Sequence, residues 1–160
     1  MNDLINNLSV WIQKPLSTPN PIFNNLPACP YAKQAWISDK VQVRQFASWV
    51  DAYTDLLVKE FDFEKYEVVI FAFPHQTIVP KQLTEIIHNL QQMWNKNDIV
   101  VLEDHPDDIE EVKNFKLNFG ECCLLLVQSR SKLNEARAYL ESKDYYKNWD
   151  AEYKKDVQSR

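Results

Sequence analysis

Two stretches of this chain, residues 66–74 (YEVVIFAFP) and 121–129 (ECCLLLVQS), are nearly unbroken apolar runs of strand length. A strand without alternation has to be covered on both faces, so each run predicts a sheet with helices packed over it. Pro74 ends the first run, and Gly120 opens the second. Between and around them the periodicity changes. Residues 47–60 (ASWVDAYTDLLVKE) place Trp49, Val50, Tyr53, Leu56 and Leu57 on one helical stripe. Residues 81–95 repeat that pattern with Leu83, Ile86, Ile87, Leu90 and Trp94, and Pro80 suits the first turn. KVQVRQF alternates as a strand over 41–46, DIVVLED gives another over 98–103, and a helix is expected over 130–141 with Ser131 as its cap.

The expected order from residue 41 is strand, helix, strand, helix, strand, strand, helix. This defines an α/β domain with a four-stranded sheet flanked by helices, at 67–73 and 121–127 in addition to the two strands above. A thioredoxin-like core has this order of elements; a ferredoxin-like arrangement with an added helix is the alternative. At 160 residues the chain suits one domain. It divides into an N-terminal helix and Pro-rich arm (1–40), the α/β core (41–141) and a polar, aromatic C-terminal tail (142–160). DDIEEVKNF, after the third strand, is expected to add a short helix whose acidic residues suit its N-terminal dipole.

Composition excludes several functions. A single glycine cannot build a phosphate-cradling loop of either common type. A net charge of −5 argues against nucleic acid as the partner. No apolar run is long enough to span a membrane, and the first residues lack the features of a signal peptide. Three cysteines, two of them adjacent, fit free thiols in a reducing cytoplasm.

Chemistry concentrates at three places. Cys29, followed by Pro30, would sit at the N-terminus of a short helix over 31–37, where unpaired N–H groups favour a thiolate. Because free cysteine is among the most often buried residues, it reads first as a buried anchor for the arm, and Ala32 stands where a dithiol motif needs its second cysteine. His75 and His105 both follow strand ends, where α/β folds collect ligand groups. Cys29 with His105 as base and Arg44 for an anion would form a catalytic set. Cys29, His75 and His105 would form a metal set suited to zinc or iron. Cys122 and Cys123 are read as core.

The order Cys29-Pro30-Tyr31-Ala32, then Arg44, then Asp104-His105-Pro106-Asp107 resembles an uncharacterised bacterial family with a Leu-Cys-Pro-Phe-Ala segment and a later Phe-His-Pro-Asp segment. The resemblance covers roughly residues 26 to 140. Tyr31 and Ala28 depart from it, and it implies attention to Cys29, Arg44 and His105 without implying a reaction. Two functions stay open. One is a binding or regulatory module, using the arm and the tail aromatics Tyr145, Tyr146, Trp149 and Tyr153 against a protein partner or a second copy. The other is an enzyme or metal-binding protein with a Cys29/His105 site.

Overall fold

The computed structural model describes residues 2–160. The expected α/β architecture is present: a mixed four-stranded sheet with helices on both faces. In chain order the elements begin with α1 (Asn2–Gln13), β1 (Pro19–Asn20), β2 (Leu26–Pro27) and α2 (Ala32–Ile37). The sheet strands and their crossover helices follow as β3 (Val41–Gln45), α3 (Trp49–Val58), β4 (Val68–Phe73), α4 (Pro80–Met93) and β5 (Ile99–Asp104). Then come β6 (Glu111–Val112), β7 (Phe115–Lys116), β8 (Cys123–Ser129), α5 (Arg130–Ser142) and α6 (Ala151–Ser159). Among the described residues no helix is long and apolar enough to cross a membrane.

The sheet order is β3-β4-β8-β5. β3 lies parallel to β4, while β8 runs antiparallel to both β4 and β5. A ferredoxin-like unit would place its strand pair between two βαβ halves, whereas here both crossover helices come before the β5–β8 pair. The period-two geometry of strands explains the apolar runs. Val69, Phe71 and Phe73 face α3 and α4, where Ala52, Leu56, Leu83, Ile87 and Leu90 cover them. Ile70 and Ala72 point the other way with Leu124, and Leu8 of α1 and Trp36 of α2 close that side. Leu8 is fully buried, so α1 forms one layer of the domain.

Four helix starts follow from short-range chemistry. Ser48 accepts from Asp51 N–H at 3.3 Å to cap α3, and Pro80 occupies the first turn of α4. Asp150 caps α6 by accepting from Glu152 and Tyr153 N–H groups. The cap of α5 is Ser129, which accepts from Lys132 N–H; the expected cap, Ser131, lies in the first turn instead. Asp98 fixes this corner by accepting from both serine hydroxyls and from Ser131 N–H.

Two expectations fail for local reasons. The acidic stretch after β5 is not a helix. Residues 111–116 form the β6–β7 hairpin, because Lys113 and Asn114 take left-handed backbone (φ 46° and 69°) and fold Val112 back onto Phe115. The Pro-rich segment is not an extended arm. Pro21 opens a turn of 3₁₀-helix, Asn24 and Asn25 reverse the chain with positive φ, and β1 pairs antiparallel with β2. Phe23, completely buried, stacks on Tyr145 at 5.3 Å. Burying a ring of that size is worth about 2–3 kcal/mol. The segment before residue 40 and the residues after 142 therefore share one small core under the β6–β7 ribbon.

Candidate functional site

Cys29 lies two residues before the cap of α2, which is Tyr31, so it is not itself the capping residue. Its N–H donates to Leu16 O at 2.8 Å, and its side chain packs in the core that holds Phe23 and Tyr145. Burial pushes the thiol above its ordinary pKa, against the smaller opposing pull of the Ala32 and Tyr31 backbone. A thiol so placed is protonated at neutral pH and is a poor nucleophile. Tyr145 donates its hydroxyl to the neighbouring Ala28 carbonyl, which ties the C-terminal segment to this turn.

His105 is almost entirely buried and fully engaged. Its Nε2–H donates to Ile78 O at 3.0 Å, and Nδ1 accepts from Asp107 N–H at 3.1 Å. Those two bonds define one neutral tautomer and leave neither nitrogen available as a base or ligand. The His75 ring meets it edge-on, 6.2 Å between centroids, because co-directional β4 and β5 release both histidines at the same end of the sheet. Cys29 belongs to a different part of the core. Among the described residues no three His, Cys, Asp or Glu side chains converge where a metal ion could sit. The structure thus brings His75 to His105 and does not bring Cys29 to either.

Arg44 points to the α3 side and donates through Nη2 to Asp55 Oδ1 at 2.7 Å, with both side chains partly buried. Its charge is neutralised within the fold. The residue that organises the loop after His105 carried no motif: Asn118, buried two positions before Gly120. Its Oδ1 accepts from Glu110 N–H at 2.7 Å, and its Nδ2 donates to Asp104 Oδ1 at 2.7 Å and Asp108 O at 2.9 Å. Burial raises the Asp104 carboxyl pKa, although the Phe119 N–H and Asn118 both donate to it. Gly120 then supplies φ +86°, the left-handed turn that starts β8.

The tail aromatics divide into two pairs. Tyr145 and Tyr146 are buried, so their rings hold the C-terminal segment onto the domain. Trp149 and Tyr153, stacked at 5.4 Å and 21°, line an open groove of about 470 Å³. The opposite wall is the β6–β7 turn with Lys113, and charges of both signs (Glu111, Lys147, Asp150) rim it. The groove exists because Asp150 turns the chain into α6 immediately after Trp149 and sets Tyr153 one helical turn on. Arg160, just past the end of α6, pairs with Glu110 of the β5–β6 connection at 2.6 Å and ties the helix to that loop.

No protein-family model, curated protein or solved structure matches this chain.

Proposed function

We propose that the protein is a noncatalytic binding module and that its recognition face is the groove between the β6–β7 turn and residues 147–153. The observation that carries this reading is the Trp149–Tyr153 stack, partly buried against the small core, facing the groove and rimmed by both signs of charge. Aromatic residues concentrate interface energy because they offer large area at small entropic cost, and a paired platform suits an extended segment bearing proline or aliphatic side chains. The partner is a short, extended segment of another protein, with Lys113 and Lys147 meeting its acidic groups and Glu111 and Asp150 its basic ones. The Pro-rich segment supports the face from behind: Asn148 donates to Ile22 O at 3.2 Å and Asn24 to Lys143 O at 3.0 Å. Three unpaired cysteines agree with placing the module in the reducing cytoplasm.

The alternative, chemistry at Cys29 and His105, draws less support, since the thiol is held protonated and both imidazole nitrogens are occupied. The test is selection from a random short-peptide library on the immobilised protein, followed by amide NMR mapping with an enriched sequence. Shifts should concentrate at 111–116 and 147–153, and the exposed double variant Lys113→Glu/Lys147→Glu should abolish or invert the charge preference. Shifts located elsewhere, or a selection untouched by that variant, would remove the groove from consideration.

A further inference from the structure

The two edges of the sheet are built differently. On β5 the outer edge is closed by Gln91 of α4, whose Nε2 donates to Ile99 O at 3.1 Å and whose Oε1 accepts from Val101 N–H at 2.6 Å. That side chain stands in for a neighbouring strand and blocks further pairing. At the other end of the sheet order, β3 lies beside β4 alone. Lys40 O accepts from Val68 N–H at 3.3 Å and Phe46 N–H donates to Ala72 O at 2.9 Å, so the even-numbered residues of β3 turn their backbone groups to β4. Val41, Val43 and Gln45 therefore turn their N–H and C=O groups outward. Among the described residues no hydrogen bond outside the ladder reaches them.

The devices that keep such an edge single are missing. The strand (VQVRQ) contains no proline or lysine, and its register with β4 is continuous, without a bulge. Its one charge, Arg44, is neutralised by Asp55. Yet that pair is incomplete, because Arg44 Nε and Asp55 Oδ2 are both buried without a hydrogen-bond partner among the described residues. An ion pair with a spare donor and a spare acceptor calls for a group that offers both, as an amide side chain does.

The strand is its own complement. In an antiparallel pair on a two-fold axis through Val43, Val43 faces its equivalent and Val41 faces Gln45 in both directions. These are the residues whose backbone groups point outward, so each such pair exchanges both N–H···O bonds. The alternate pairs set Gln42 opposite Arg44, where the amide oxygen can accept from Nε–H and the amide NH2 can donate to Asp55 Oδ2. Val41 and Val43, only partly buried on the α1 side, gain cover from the other copy.

We infer that the protein forms a homodimer in which the β3 edges pair antiparallel and join the two sheets into one. Backbone pairing alone would admit a strand of any protein. Completing the Arg44–Asp55 pair requires an amide at the facing position, and β3 itself supplies it. The contact uses none of the residues that line the groove and does not depend on that reading. A strand this short makes a small interface, which places association in the micromolar range.

Sedimentation velocity on the full chain from micromolar to millimolar concentration, with amide hydrogen exchange at both ends of that range, tests it. The protein should pass from monomer to dimer. In the dimer the Val41, Val43 and Gln45 amides should become protected, whereas those of Gln42 and Arg44, bonded to β4, are protected at every concentration. Gln42→Lys sets an ammonium against Arg44 of the other copy twice per dimer and should weaken association about a hundredfold. Its β4 and β8 amides should stay protected, which reports that it folds. The groove variant Lys113→Glu/Lys147→Glu should dimerise as the original chain does. A monomer throughout, a dimer whose Val43 amide exchanges freely, or a dimer indifferent to Gln42→Lys or weakened by the groove variant would overturn the inference.

Discussion

Replacing Asn118 by alanine removes three hydrogen bonds at once, and its cost can be worked from their partners. The bonds to Glu110 N–H and Asp108 O are neutral and contribute about 1 kcal/mol each. The bond to the Asp104 carboxylate is charge-assisted and contributes roughly 1.5–3 kcal/mol. A fourth contact, to His105 O at 3.4 Å, is too long to count for much. The sum is about 4 kcal/mol; water reaching the partly exposed Asp104 and Glu110 recovers some of it, so the expected loss is about 3 kcal/mol. In urea unfolding, with a slope of roughly 2 kcal/mol/M for a chain of this size, the midpoint should fall by about 1.5 M with the slope unchanged. Asn118→Asp sharpens the test. It keeps an acceptor for Glu110 N–H but sets a second carboxylate against Asp104, so it should be worse than alanine at neutral pH and recover as the pH falls. A loss below about 1 kcal/mol for alanine, or no pH dependence for aspartate, would show that the β6–β7 ribbon holds the loop without Asn118.

Other outcomes follow from the same geometry. Leu8→Ala should destabilise by about 3 kcal/mol in thermal or urea unfolding, as for a fully buried leucine; a near-neutral result would make α1 an appendage. Alkylation of Cys29 in the folded protein should be slow at neutral pH and indifferent to His105→Ala, because burial and not an imidazole sets the thiol's state. Cys122 and Cys123, pushed up by burial to about 11 and about 12, should label no faster, so rapid labelling of any cysteine would contradict the packing. Hydrogen bonds from Ser129 and Ser131 hold the Asp98 carboxyl below its ordinary pKa. Its stabilising contribution is therefore complete above about pH 4 and is lost as pH falls through the lower folded value. Asp98→Ala should lower the melting temperature at pH 6 and flatten its decline in acid, and parallel curves for the two proteins would refute the linkage.

The layered sheet was legible because burial on both faces leaves a direct mark, the unbroken run from Val68 to Phe73 and its counterpart from Cys123 to Val127. The crossover helices were legible because their stripes repeat at helical spacing. What lay hidden depends on partners distant in sequence. Phe23 looks like one apolar residue in a proline-rich segment until Tyr145 covers it, and Tyr145 looks like an exposed anchor until Phe23 does the same. The ribbon at 111–116 was misread because acidic residues favour a helix start, while the decisive signal was the tolerance of Asn114 for left-handed backbone. His105 and Cys29 stand out in the sequence through the proline that follows each. Sequence alone could not show that their polar atoms are consumed by Ile78, Asp107 and the turn before α2.

The position of β8 has a consequence for how this protein is made. Of the four strands of this sheet it is the last to leave the ribosome, yet it sits between β4 and β5, which never touch in the finished sheet. A nascent chain that has emerged only through β5 can pair β3 with β4, but β5 has no neighbour and β4 presents a bare apolar edge. Such edges recruit other chains, and the wait lasts until residues 123–129 clear the exit tunnel. Closure is then a single insertion that satisfies two edges together, so the sheet is completed late and all at once rather than strand by strand. Truncation anywhere before residue 129 should therefore yield aggregate instead of a smaller soluble domain.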